Sequence, residues 1–331
     1  MRFKYLSTAC MLIAAIFLLP GCSKDDNIRL RDNNILPSVV TDNFNLKTFS
    51  TALERTGLTK VVSQKGPFTL LVPSDVAFSK AGIDGPGGVI GTNSALLESL
   101  TAYHILEGVY RLNELPFLFN QEITSYGGGK LYITRWIKAQ DTILTVNGSR
   151  ILPQATTASN GLLQVIDRVL KPYRFEYLAD AIAADQSLTL FYQALQRAGM
   201  ESLLRKKGPY TVFAPTNAAM ITYGYASLEA INQASPTALA ALLRYHIVAD
   251  RRFLNDYILS TGSTATSTQA MIDDNTVKIT LIPNNEVQGG YEGITLQGSG
   301  NGNTQIRIVQ QDIITGNGVL HTIDQVLRIT Q

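Results

Sequence analysis

Three histidines are the only imidazoles in this 331-residue sequence: His104, His246 and His321. Imidazole can act as general base, proton shuttle or metal ligand, so chemistry is sought there first. A base needs a nucleophile or an acid set beside it, and none stands at a telling spacing from these three. A metal needs converging ligands, and the histidines lie far apart in the chain without ligand spacing. His104 and His246 instead fall on apolar helical stripes. Leu97, Leu100 and His104 share one face, and Leu239, Leu242, Leu243 and His246 fall at i, i+3, i+4 and i+7. The Tyr103-His104 and Tyr245-His246 stretches are therefore expected to be helical, each with a core histidine that has a hydrogen-bond partner.

Other chemistry-bearing residues are sparse. Gly298-x-Gly300-x-Gly302 has the look of a phosphate loop, but such a loop must open a helix, and "NTQIRIV" alternates like a strand. It reads as a surface loop. Asp273-Asp274-Asn275 lacks the spacing of a calcium loop and reads as a solvated turn. No pair of carboxylates can be placed as acid and base. Trp136, the sole tryptophan, would stack on a sugar if it faced outward. No cofactor and no metal is implied.

The elements that would position these residues occur twice. "KGPFTLLVPSD" at 65–75 returns 142 residues later as "KGPYTVFAPTN" at 207–217. Tyr103-His104-Ile105 returns at the same offset. Asn160-Gly161 with Ile166-Asp167 returns as Asn317-Gly318 with Ile323-Asp324, an offset of 157, so the second copy carries 15 more residues before its last strand. A period this long means two whole domains rather than a solenoid. The added length is expected in Ser260 to Ala270 and in the loop Asn284 to Glu292, which includes Tyr291. Extra loop length costs little stability and is where binding tends to reside.

Within each copy, Gly-Pro is followed by a short apolar strand, 68–72 and 210–214. Pro73 and Pro215 end it, and Ser74 and Thr216 are placed to cap the next helix. Later stretches alternate: 131–137 and 142–146 in the first copy, 277–282, 293–296 and 305–309 in the second. Asn147-Gly148 predicts a tight hairpin. Helices first and strands later make each copy an α+β unit.

These blocks, in this order and in both copies, resemble the fasciclin-like domain over about residues 38 to 331. The resemblance implies two tandem domains, each a wedge-shaped β-sandwich with helices packed along one edge. It also implies extracellular adhesion or binding rather than catalysis, with Tyr103, His104, Tyr245, His246 and His321 as structural motif residues. The first copy departs at Gln164, where the family has the histidine that the second copy keeps as His321. Gln311-Asp312-Ile313-Ile314 resembles the Asp-Ile element through which animal members engage integrins, which makes Asp312 and Ile313 candidate binding residues beside Trp136 and Tyr291. The first copy has Ala155-Thr156 there.

The N-terminus points to location. Arg2 and Lys4 precede an apolar run too short to span a bilayer comfortably, as in a secretory signal. Leu18-Leu19-Pro20-Gly21-Cys22 resembles a bacterial lipoprotein signal, with Cys22 the lipidation site. Ser23-Lys24-Asp25-Asp26 resembles a signal for display on the outer face of the outer membrane. The expected organisation is a signal peptide at 1–21, a flexible tether at 22–37 and domains at 38–172 and 173–331. Cys10 lies in the signal, so the chain from Cys22 onward holds one cysteine and no internal disulfide. The formal charge of +2 is carried by Arg2 and Lys4, which leaves the rest near neutral without a basic stripe and excludes nucleic acid as an expected partner. The expected function is a non-catalytic, lipid-anchored surface protein that binds an extracellular protein or glycan. The alternative is an accessory glycan-binding subunit of an outer-membrane nutrient-uptake complex, with a transporter as partner.

Overall fold

The computed structural model describes residues 34–285 and 290–329. The signal peptide, Cys22 and the tether as far as residue 33 lie outside the described residues, as do 286–289 of the Asn284 to Glu292 loop.

In the first copy, helices α1 (Leu36–Thr41), α2 (Lys47–Arg55) and α3 (Thr59–Val62) precede strand β1 (Phe68–Pro73). Helices α4 (Asp75–Lys80), α5 (Gly85–Gly91) and α6 (Ser94–Tyr103) follow, and then strands β2 (Ile105–Glu107), β3 (Gln121–Thr124), β4 (Lys130–Lys138), β5 (Asp141–Val146), β6 (Ser149–Ala158) and β7 (Gly161–Ile166). The second copy repeats this with α7 (Leu178–Ala184), α8 (Thr189–Arg197), β8 (Tyr210–Pro215), α9 (Asn217–Tyr223), α10 (Leu228–Gln233), α11 (Pro236–Arg244) and β9 (Ile247–Val248). It then adds α12 (Leu254–Ser260) before β10 (Thr266–Ala270), β11 (Thr276–Pro283), β12 (Tyr291–Gly298), β13 (Ile306–Thr315) and β14 (Gly318–Ile323).

The strand order is β2-β1-β7-β6-β5-β4-β3 in the first copy and its equivalent, β9-β8-β14-β13-β12-β11-β10, in the second. β1 runs parallel to β7, and β8 to β14; the other pairs are antiparallel. Register shifts in β6 and β13 bend the ladder. One apolar core therefore gathers Leu71 of β1, Ile133 of β4, Val146 of β5 and Ile166 of β7 inside the curled sheet. A second core packs Leu36, Phe49 and Phe78 of the helices against Leu70, Val72 and Leu163 on the other face. This is the α+β sandwich with flanking helices. Leu36 and Pro37, expected in the tether, belong to α1, and Leu36 is fully buried.

The repeated "KGP" has a steric reason. Gly66 and Gly208 sit at φ +69° and +70°, and a Cβ there would come within 2.6 and 2.3 Å of the carbonyl oxygens of Asn160 and Asn317. The caps form as expected: Ser74 Oγ accepts from Ala77 N at 3.2 Å, and Thr216 Oγ1 from Ala219 N at 3.3 Å. Ser74→Ala is expected to lower stability by about 1 kcal/mol in urea denaturation, because one amide at the start of α4 loses its acceptor. An unchanged midpoint would show that the cap contributes nothing.

The Tyr-His stretch is not wholly helical. α6 ends at Tyr103 with His104 as its C-cap, and α11 ends at Arg244 with Tyr245 as its C-cap; both chains turn at once into a strand. The apolar periodicity runs past the helix, by one residue to His104 and by two to His246, because both rings still face the core.

The 15 additional residues of the second copy fall only partly where expected: the Asn284 to Glu292 loop does hold some, since residues 284–290 join β11 to β12 where only 139–140 join β4 to β5. Part builds α12, where the first copy has only a short 3₁₀ turn at Leu112–Glu114. Thr266–Ala270, expected as loop, is the edge strand β10. Another part lies between β12 and β13, where the two-residue Asn147-Gly148 turn of the first copy is replaced by residues 299–305. The Gly298 to Gly302 stretch is accordingly no free surface loop. Gly300 is buried and donates its N–H to Arg328 O at 2.8 Å.

Candidate functional site

The three histidines are built into the frame. His104 Nδ1–H donates to Leu100 O at 2.8 Å, and its Nε2 accepts from Leu170 N at 3.0 Å. His246 repeats this with Leu242 O at 2.8 Å and Leu327 N at 3.0 Å. Each ring ties a helix end to the segment that leaves the last strand. Protonation would set an N–H against an N–H. Burial lowers both rings to a pKa of about 4, so they are neutral near pH 7. His321 has the other tautomer: Nδ1 accepts from Asp312 N at 3.2 Å, and Nε2–H donates to Arg252 O at 3.0 Å. Burial lowers its pKa as well. Gln164 occupies the matching buried position in the first copy. Tyr103 and Tyr245 send their hydroxyls to Lys130 O at 2.5 Å and Thr276 O at 2.7 Å, which holds the helix end on the sheet.

Asp312 and Ile313 do not stand outward. β13 bulges at Asp312, which adopts φ +58°, a left-handed conformation that Asp tolerates better than most residues. The bulge turns the carboxylate into the joint between the copies. Oδ2 pairs with Arg168 of the first copy at 2.9 Å, and Oδ1 accepts from Leu254 N at 2.7 Å. The Asp312 side chain is 7% exposed. Ile313 is half-buried and packs on the second copy's helical core. Trp136 is half-buried on Phe119, with ring centroids 4.5 Å apart, and Tyr291 lies beside Lys138 Nζ at 5.6 Å.

The joint is the most elaborate polar site among the described residues, and α12 is at its centre. Asp256, fully buried in the first turn of α12, accepts from its own Phe253 N at 2.9 Å. Across the joint it accepts from Asn120 Nδ2 at 3.0 Å and Thr134 Oγ1 at 3.0 Å. Asn120 also donates to Arg251 O at 2.6 Å from a left-handed φ of +53°. Asn255 Nδ2 donates to Gly148 O, and Lys138 Nζ to Thr261 O. Arg251 stacks on the Tyr132 ring at 3.9 Å while its guanidinium donates to the carbonyls of Thr315, Gly316 and Gly318. Tyr132, Phe253 and Val319 form a buried apolar cluster there. Gly148 sits where a Cβ would come within 3.0 Å of both Phe253 and Asp312. Much of this joint was hidden from sequence reading; its one local signal was that the second copy is longer where α12 forms.

Among the described residues, no group of His, Cys, Asp and Glu could hold a metal, and no helix is long and apolar enough to cross a membrane.

Comparison with known proteins agrees with the architecture. The family model described as the fasciclin domain matches residues 44–172 and 186–329. Human periostin is 30% identical over 82% of this chain, an alignment that covers 29% of periostin. The rabbit (Oryctolagus cuniculus) transforming growth factor-beta-induced protein ig-h3 is 26% identical over 79% of this chain and 35% of its own length. The chain thus spans about a third or less of these two relatives. A solved FAS1 domain pair from the insect cell adhesion molecule fasciclin I covers 86% of this chain and 97% of its own, at 15% identity and a TM-score of 0.41. With two matches that together take up most of its length, each on one copy of the repeat, the chain belongs to the fasciclin domain family.

Proposed function

We propose that this chain is a non-catalytic binding protein, anchored by lipid at Cys22 and displayed on the outer face of the outer membrane, which recognises an extracellular protein or glycan. The observation that carries the reading is where the chemical groups are used. All three histidines spend both ring nitrogens on internal partners, and Asp312 and Asp256 spend their carboxylates on the joint. Groups committed to the scaffold favour a rigid presenter of surface over a catalyst. Membership of the fasciclin family supports adhesion or binding, and the polar joint makes the two copies one body whose contacts reinforce each other.

The experiment is a comparison of cells that carry the full chain with cells that carry Cys22→Ser. The native chain is expected in the membrane fraction, open to added protease in intact cells, and able to make the cells adhere to matrix or to one another. Cys22→Ser should release it and abolish adhesion. Membrane retention of the variant would overturn the anchor. Absence of adhesion, together with co-purification with an outer-membrane transporter, would replace adhesion by the uptake-subunit reading.

A further inference from the structure

We infer that the groove where the two copies meet binds an acidic polysaccharide, with Lys80, Arg150 and Lys171 pairing its carboxylate or sulfate groups. The inference rests on the binding reading above and names a ligand class for it. The groove is a cavity of about 530 Å³ between α4, the strands β6 and β12, the segment after β7, and α12. That is a size at which small-molecule ligands are held.

Its charge is unbalanced. Lys80, Arg150 and Lys171 are exposed and make no ion pair among the described residues. The acids nearby are fewer. Asp312 is taken by Arg168, and Asp167, which accepts from Ser149 Oγ and Arg150 N at 2.8 Å, keeps its charge, so Asp167 and Glu292 face the three cations and leave the lining net positive. A second cavity, of about 430 Å³, shares Arg168 and Lys171 with the first and continues the cations to Arg174. A third cavity at the joint has its charges more nearly matched: Lys130 pairs with Glu122 at 3.0 Å and Arg205 with Asp180 at 2.7 Å, while Lys207 and Arg251 share the lining with Glu176 and Asp250. Three cations without ion pairs thus stand along two adjoining cavities of a chain that is near neutral overall.

The distribution selects the ligand. The cations stand on three separate segments along adjoining cavities, which suits a polymer with repeating negative charge better than one isolated anion. An extended peptide would seek backbone pairing at a sheet edge. The edge strands β2, β3, β9 and β10 do not line this groove, and its walls are side chains from helices and interior strands. Tyr291 adds an aromatic side chain to the lining against which a sugar can pack.

The test measures binding of the immobilised full chain to chondroitin sulfate, polygalacturonate, neutral dextran and poly-glutamate. The expected result is binding to at least one of the two acidic polysaccharides that weakens steeply with salt, with no binding to dextran. The triple variant Lys80→Gln, Arg150→Gln, Lys171→Gln should weaken it by about tenfold or more with an unchanged melting temperature, because these side chains are exposed. A control triple, Lys47→Gln, Lys60→Gln, Lys206→Gln, should bind as the native chain does. The inference fails if neither acidic polysaccharide binds, if both triples lose equally, or if poly-glutamate binds as tightly as the polysaccharides. If the native chain binds neither acidic polysaccharide but still supports cell adhesion, the groove inference fails and the binding reading stands. If adhesion itself is absent in the native chain, it is the functional reading that fails.

Discussion

Asn160→Ala is expected to remove on the order of 3–5 kcal/mol from the stability of the first copy, and Asn317→Ala as much from the second. Asn160 is buried, and its amide makes three hydrogen bonds to three places in the chain. Oδ1 accepts from Leu36 N at 2.9 Å; Nδ2 donates to Val62 O and Gln64 O, both at 2.8 Å. Asn317 makes the same three, with Leu178 N, Leu204 O and Lys206 O, each at 2.8 Å. Each asparagine thereby clasps the first helix of its copy and the turn before β1 or β8 to the turn before the last strand. Alanine would leave one N–H and two carbonyls without partners where water does not replace them readily. Each such group costs about 1–3 kcal/mol. Aspartate is no substitute, since it would set a carboxylate against two carbonyl oxygens. Urea titration of the full chain would register the loss as a lower midpoint. Asn232→Ala, on the exposed surface of α10, should stay within about 0.5 kcal/mol of the native chain. A loss below about 1 kcal/mol at Asn160 would show that the clasp is dispensable.

The same residue marks the limit of what sequence could show. Asn160-Gly161 and Asn317-Gly318 were visible as a repeated pair, and the pair gave the 157-residue offset that exposed the extra length of the second copy. What the side chain does was not visible, because its partners lie up to 124 residues away. The local elements were legible for a related reason. Ser74 and Thr216 act on amides three residues ahead, and the continuous apolar run of β1 and β8 is written within six residues. The joint was not legible, because its contacts connect residues more than a hundred positions apart and depend on backbone that sequence types only permit. Asn120 and Asp312 both take left-handed φ, one in each copy, and each throws its side chain across the junction. Nothing in "FNQE" or "QQDI" requires that. The placement of Asp312 follows from it: a residue read as a candidate binding contact has its carboxylate turned into the joint by a bulge. The additional length of the second copy was counted correctly, and part of it does fall in the expected loop between β11 and β12, but α12 spends another part on holding the copies together.

Asp256 gives that joint a pH dependence opposite in sign to that of the histidines. Burial raises its pKa from the usual 3.8 to about 6, against the pull of its bonds from Phe253 N, Asn120 and Thr134 and of the nearby Arg252 guanidinium. Between about pH 4 and 6 the folded chain therefore binds a proton here that the unfolded chain does not, and stability from this group falls as pH rises through that window. His104 and His246 run the other way. Their folded pKa of about 4 lies below the usual 6.5, so they favour the native state above 6.5 and withdraw that stability as pH falls towards 4. His321 acts in the same direction. The histidines outnumber the aspartate, so the native chain is expected to lose stability on acidification, with Asp256 offsetting part of the loss. Asp256→Asn removes the offset while keeping an amide that can serve Phe253 N–H and the Thr134 hydroxyl. Its stability between pH 4.5 and 6 should fall more steeply than the native chain's by about one proton, roughly 1.4 kcal/mol per pH unit. Near pH 7 it should be at least as stable as the native chain, because a buried charge has been removed. Asp256→Ala should instead lose on the order of 3 kcal/mol at every pH above 6, since it strands the Phe253 amide, the Asn120 amide and the Thr134 hydroxyl. Urea titrations of the three proteins at several pH values separate the two effects. Parallel pH profiles for the native chain and Asp256→Asn would mean that Asp256 carries no proton in the folded state, and that the polar joint is held by an ionised carboxylate throughout the range.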